Sequence, residues 1–597
     1  MKRFFVFCII LFSAAALLIS LPATDARFLS IEITYHLQSD GSWDMDYSHQ
    51  VRLYTYYAVN RALGETFIVY NPDFQKLEIM RSETTMADGR KVASPANAFN
   101  EVLPFAVHGF ADFSSLREMV VTHTGLERGA VVDLHYRIHT QAGFSPVFSG
   151  REGLAKAFPI DSYKLKIIVP ADQVLRYRVF GSKAEPEISR AGAEKQCVFT
   201  LANLRPDAHE ALADNQAAPF IVFSAASGWE QALAVAADVS ALPAVLTNQI
   251  EKLQAQIPAS PDLLAALQKI AAVEFQNCAL GSRTAGWQPR PLERVALSNY
   301  GTALEKALLL RAMLQKAGVA AELLAVAAGA DFAPDVPTLL QVDEYWLKIV
   351  DEEQISYLDP CHEQNEFFPY RCQGLAAFNM TRKELEKLPT ANWEQNGIEI
   401  SGSVVLDPAG TSGTLLVTAR GIFNRYDDAV ENSNKFLEGL LKKIFPIEKA
   451  EVTKLLLLSR REIRAEATFS GKWLKEAGAG FFTADACRLP GLSETMVQQV
   501  KRESSLVLDA PFKVALNLDL QPAAGLGLEY GIPDVQLKNE TGYFARSLRL
   551  EKNGHIRFSE TCGIEKTPMA PELYPRLREL LKAYFTPDLW LVLKKSK

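Results

Sequence analysis

Residues 298 to 324 read SNYGTALEKALLLRAMLQKAGVAAELL, and the segment 303 to 317 within them is apolar almost all round, interrupted only by Glu305, Lys306, Arg311, Gln315 and Lys316. A surface helix carries one apolar stripe. A helix that is apolar on every side must be covered on every side, so this segment predicts the buried centre of a domain. Two strand signals follow it, AELLAVAA and VDEYWLKIV, then the acidic turn Asp351-Glu352-Glu353 and a third strand, ISYLDP. Ahead of it lie two stretches of helical periodicity, ALPAVLTNQIEKLQAQI and DLLAALQKIAAVEF, and the turn-rich GSRTAGWQPRP. The span 230–385 therefore reads as an α+β unit, a helix packed on an antiparallel sheet.

The flanks are built on a different period. With 597 residues the chain exceeds what one core usually organises, and about three domains is the better expectation. From 29 to 215 apolar and polar residues alternate, as at Ile31, Ile33 and Tyr35 before the turn Ser39-Asp40-Gly41, which predicts an antiparallel β-sandwich. LERGAVVDLHYRIHT is its clearest strand. His135 and His139 there lie about 13 Å apart at the usual strand rise, which suits a solvated face better than a metal site. From 392 to 597 strands return, with Asp407-Pro408-Ala409-Gly410 and Asn553-Gly554 as hairpin turns and two helices, NSNKFLEGLLKKIF and PELYPRLRELLKAYF. This C-terminal domain is expected to be mostly β, in one piece or two.

At the N-terminus Lys2 and Arg3 precede eighteen uncharged residues, Phe4 to Leu21, and the small-residue stretch Ala23-Thr24-Asp25-Ala26. Residues 1–26 read as a secretory signal peptide with cleavage after Ala26; an uncleaved membrane anchor is the alternative. The expected location is the periplasm or cell envelope. A net charge of −7 without a basic block excludes nucleic acid as a natural partner. Outside the apolar leader there are six cysteines, without CxxC spacing, so neither a zinc site nor a disulfide scaffold is implied, and no metal or cofactor is expected. Cys361 and Cys372 are placed to pair across a short loop; two free thiols are the other reading.

The order helix, strand, strand, with YG before KALLLRAMLQKAGV and YLDP closing a strand, resembles the transglutaminase-like fold, a relative of papain-type cysteine proteases. LERGAVVDLHYRI, ADGRKV and AFPIDSYKLKIIVP resemble the β-rich domain of uncharacterised function that precedes such cores in bacterial envelope proteins, and LWLVLKK resembles the end of the domain that follows them. In active members of that family a cysteine at the helix N-terminus is the nucleophile, a histidine on a following strand moves the proton and an aspartate orients the imidazole. Matching these motifs puts Ala303 at the nucleophile, Glu344 at the base and Asp359 at the aspartate.

Alanine has no electron pair with which to attack. Sliding the register restores nothing, because there is no cysteine between Cys278 and Cys361 and no histidine between His209 and His362. Cys361 and His362 as neighbours on an extended segment would point to opposite faces. The resemblance thus implies a non-catalytic relative that binds a polypeptide or a cell-wall polysaccharide, with Trp287, Tyr300, Thr302, Tyr345 and Trp346 as candidate cleft residues. The alternative is an active enzyme, either a transglutaminase or cysteine-protease relative with relocated chemistry or a hydrolase built on Glu344 and Asp359, two carboxylates close enough to share a proton, one of them with a raised pKa.

Overall fold

The computed structural model describes residues 24–596, apart from 208–209, 211, 213–217, 235–241, 258–260, 328–331, 352–353, 365 and 587–588. The signal-peptide expectation for residues 1–23 lies outside them. Asp25 and Ala26 are already part of the fold: Asp25 accepts hydrogen bonds from Tyr54 N at 2.8 Å and Thr55 Oγ1 at 2.7 Å, and Ala26 is fully buried at the start of a strand.

That strand, Ala26–Leu37, buries Ile31, Ile33 and Tyr35 on one face, as alternation requires, and turns through Gly41 at φ +86° into the antiparallel strand Trp43–Leu53. Its other neighbour, Ile160–Pro170, runs parallel to it. Together they centre an eight-stranded sheet, over which two three-stranded sheets pack. One of these closes Ile68 and Val121 against Leu134 and Ile138; the other brings Phe223 against Tyr35, ring centroids 5.1 Å apart. The sandwich is therefore layered and mostly antiparallel, with a parallel pairing that short-range pattern does not announce. His135 and His139 sit on its polar face beside Asp46 and Asp44 of the adjacent strand.

In the middle of the chain the all-round apolar segment forms the helix Ala303–Lys316, with Leu308, Leu309, Leu310, Met313 and Leu314 all at 3 % exposure or less. It lies on a five-stranded antiparallel sheet in the order Gln354–Leu358, Val342–Asp351, Glu322–Ala327, Ala376–Asn379, Glu384–Lys387. The helices Ala244–Gln256 and Pro261–Lys269 cover its remaining sides. The apolar residues of this unit and those of the N-terminal sandwich form one continuous core, so the two are fused rather than merely linked.

The last third is a second eight-stranded sheet and a four-stranded sheet sharing one core, not two packed pieces. Gly397–Leu406 pairs in parallel with Phe512–Pro522 at its centre. The first helix runs Tyr426–Ile444, longer than its apolar periodicity indicates, and breaks at Asn432, whose Oδ1 accepts Lys435 N at 2.9 Å and so caps the second segment. The chain is thus a multidomain, mostly β protein with several separate sheets.

Candidate functional site

The start of the central helix is a closed structure. Thr302 is its N-cap: the hydroxyl accepts Glu305 N, and Glu305 Oε2 accepts Thr302 N at 2.9 Å, a capping box. Arg290 grips the same carboxylate through Nε at 3.0 Å and Nη2 at 2.8 Å, donates to Tyr300 O at 2.8 Å and pairs with Asp112 of the sandwich, which Arg294 also holds. In a cysteine enzyme the open amides of this turn would stabilise a thiolate. Here Glu305 already supplies the negative charge, and the methyl group of Ala303 faces the core. Lys306, fully buried, donates to Phe275 O at 2.7 Å and to Asn277 Oδ1. It ties the helix to the segment that follows Pro261–Lys269.

Glu344 and Asp359 do come together, but Arg371 lies between them. Its Nη2 donates to Glu344 Oε1 at 2.9 Å and its Nε sits 3.7 Å from Asp359 Oδ2. Trp346 Nε1 and Cys372 Sγ each donate to Glu344 Oε2 at 3.0 Å. Burial pushes the Glu344 carboxyl up, and Arg371 with these donors outweighs it, holding the group below the ordinary carboxylate range. The expected proton-sharing dyad with a raised pKa is therefore not what forms. An arginine satisfies both anions.

Asp359 is 2 % exposed and organises its own loop. Oδ1 accepts Cys361 N at 2.7 Å and His362 N at 3.1 Å, and Oδ2 lies 3.0 Å from His362 Nδ1. Residues 359–362 form a tight turn, not the extended segment expected, and the carboxylate and the imidazole meet within it. The environment of both thiols favours the protonated form. Burial, reinforced by Asp359, pushes Cys361 up to about 12, and burial with Glu344 pushes Cys372 higher still. Both are free, so the proposed disulfide does not form. Cys372 instead packs beneath Glu344 as a hydrogen-bond donor.

Of the candidate cleft residues, most are interior. Tyr345 is 7 % exposed in the main core; Trp346, at 1 %, spends its indole N–H on Glu344; Tyr300 accepts Asp112 N at 2.7 Å and stacks edge-on with Phe110. Trp287, itself only 6 % exposed, lines two adjoining cavities of about 610 and 240 Å³ between sandwich and central domain. A further cavity of about 310 Å³ opens between the 359–371 loop and the C-terminal domain. Among the described residues no set of three His, Cys, Asp or Glu side chains converges as a metal would require, and no helix is long and apolar enough to cross a membrane.

Sequence reasoning missed Arg371, Asp112 and the Asp359–His362 pair. The contact between Asp112 and Arg290 spans 178 residues, and Arg371 sits in the single 3-10 turn Tyr370–Cys372, too short to carry periodicity, so neither left a local signal.

The family described as a Domain of Unknown Function with solved-structure structure (DUF3857) matches residues 39–208. No curated protein matches the chain. Among solved structures, one described as "a putative protease" from Parabacteroides distasonis superposes with a TM-score of 0.72 at 23 % identity, over 96 % of this chain and 99 % of that one. That likeness concerns the fold, across essentially the whole molecule. An M1 zinc metallopeptidase from Deinococcus radiodurans aligns over 34 % of this chain and 43 % of its own at 10 % identity and a TM-score of 0.20, a level that bears no argument.

Proposed function

We propose that the chain is a non-catalytic, transglutaminase-like protein of the bacterial cell envelope that binds a polypeptide or a wall polysaccharide as a scaffold or assembly factor. One observation carries this reading. At the position where the related enzymes hold a thiol there is the methyl group of Ala303, and where they hold an imidazole there is Glu344, locked by Arg371, Trp346 and Cys372. Acyl transfer needs a nucleophile that can be deprotonated and a base that can accept its proton. A methyl group and an ion-paired carboxylate supply neither.

The superposition with a structure described as a protease supports the origin of the frame, and its cavities support binding as the activity retained. Envelope location rests on the apolar leader at residues 4–21. The test is turnover: purified protein incubated with casein and with peptidoglycan fragments should release no product above a boiled control. Hydrolysis that disappears in Glu344→Gln would overturn the reading.

A further inference from the structure

We propose that the cavity between the 359–371 loop and the C-terminal domain is a recognition site for an alkylammonium or alkylguanidinium group, as carried by lysine and arginine side chains of a polypeptide. This deepens the binding function proposed above and rests on it. The central domain contributes Asp359, His362, Glu366 and Tyr370, and the C-terminal domain contributes Asn424 and Asp509.

The charge on these walls is unbalanced. Arg371 is shared between Glu344 and Asp359, so those three groups together remain anionic. Glu363 is answered at the rim by Lys269 at 3.2 Å. The exposed carboxylate of Asp509 has no hydrogen bond or ion pair among the described residues, and Glu366, pushed up by burial in spite of the nearby Arg461, accepts the Tyr370 hydroxyl at 2.7 Å. An anionic ligand would meet repulsion here, and a cation would meet attraction strengthened by partial exclusion of water.

A second, independent feature is Asn424. It is 1 % exposed; its Nδ2 donates to Ser459 O at 3.1 Å, which fixes the orientation of the amide, and its Oδ1 is buried without a donor. Buried carbonyl oxygens in folded proteins are almost always paired, and an orphan on a cavity wall calls for a ligand N–H or O–H. Phe368 and Tyr370, ring centroids 4.7 Å apart, add aromatic surface beside these acceptors, the usual companion of a bound ammonium or guanidinium. A volume of about 310 Å³ admits one extended side chain but not a folded domain or a branched glycan.

The test is saturation-transfer NMR on the full chain. The probes are Nα-acetyl-lysine methylamide, Nα-acetyl-arginine methylamide, n-butylammonium, Nα-acetyl-norleucine methylamide and N-acetylglucosamine. The two blocked basic residues should give signals that the norleucine and sugar probes do not, and Asp509→Asn with Glu366→Gln should weaken binding about tenfold while the melting temperature holds. A response to n-butylammonium equal to that of the blocked residues assigns the site to free amines, and a weaker one to polypeptide; both uphold a cation site. Should the double variant not fold, raising salt from about 20 to about 500 mM on wild type should weaken cation binding several-fold. No response to either cation, a response untouched by these changes, or a sugar signal abolished by the double variant would overturn the proposal. Absence of cation binding without turnover removes only this ligand class; turnover on casein or glycan removes the non-catalytic reading itself.

Discussion

Arg371 donates from Nη2 to Glu344 Oε1 at 2.9 Å while its Nε stands 3.7 Å from Asp359, so one guanidinium stands between the two carboxylates that the proposed function sets at the base and orienting positions. Both anions face the same cation, and Asp359 is paired in addition with His362 at 3.0 Å. The rest of the site follows from that arrangement.

Removing the bridge should therefore be felt at Glu344 first. Arg371→Leu leaves a largely buried carboxylate with two weaker donors, and we expect a loss of roughly 1–3 kcal/mol in urea unfolding together with a rise of the Glu344 pKa. Adding Glu344→Gln to that variant should recover part of the loss, because the uncompensated charge goes with it. A double variant as unstable as the sum of the singles would show that the two side chains do not interact.

Introducing a thiol and an imidazole at the two proposed positions tests that alignment. In Ala303→Cys with Glu344→His, a thiol at the helix start should be alkylated by iodoacetamide and located by peptide mass mapping, against buried wild-type thiols that react slowly. Labelling should quicken further in Glu305→Gln, which removes a negative charge from the same turn. A folded variant that never labels at 303 would place the nucleophile position elsewhere.

The clamp at that helix is predicted to matter for stability more than its size suggests. Glu305→Ala removes the capping box and leaves Arg290, whose side chain is 13 % exposed, with Asp112 as its remaining anion. A cap is worth about 1 kcal/mol and a broken buried pair about 3 kcal/mol or more, so about 2–4 kcal/mol should be lost in chemical denaturation. Thr302→Ala, which touches the cap alone, should cost about 1 kcal/mol.

Acid should loosen the sandwich before the rest. Burial lowers His49 to about 3 and His123 to about 4, so both are neutral when folded, whereas the unfolded chain takes up those protons near pH 6.5. The unfolded state binds more protons at low pH. Stability is therefore full above about pH 6.5 and falls as pH drops toward those folded values, each group contributing up to about 1.4 kcal/mol per pH unit. His49 packs edge-on against Phe28 with ring centroids 5.5 Å apart. Replacing it by Gln should flatten the fall in melting temperature between pH 6.5 and 4; an unchanged slope would count against its neutral burial.

Much of this molecule was legible in short windows of sequence. The central helix declared itself because fifteen residues without a polar face can only be interior, and the strands because Ile31, Ile33 and Tyr35 alternate with polar neighbours. The hairpin at Asn553-Gly554 formed where its turn chemistry placed it, with Gly554 at φ +84°. That the segments next to the central helix in sequence carry neither thiol nor imidazole was also legible, since none occur between residues 279 and 360, but only folding brought Cys361 near Lys306 of that helix. Tertiary structure alone decided what surrounds these residues. Arg371 between Glu344 and Asp359, Asp112 on Arg290, His362 folded back onto Asp359, and the parallel pairing of Ala26–Leu37 with Ile160–Pro170 all depend on which distant segments meet. Periodicity records which side of an element is buried; it carries no record of the partner that buries it, and ion pairs formed across loops leave no period at all.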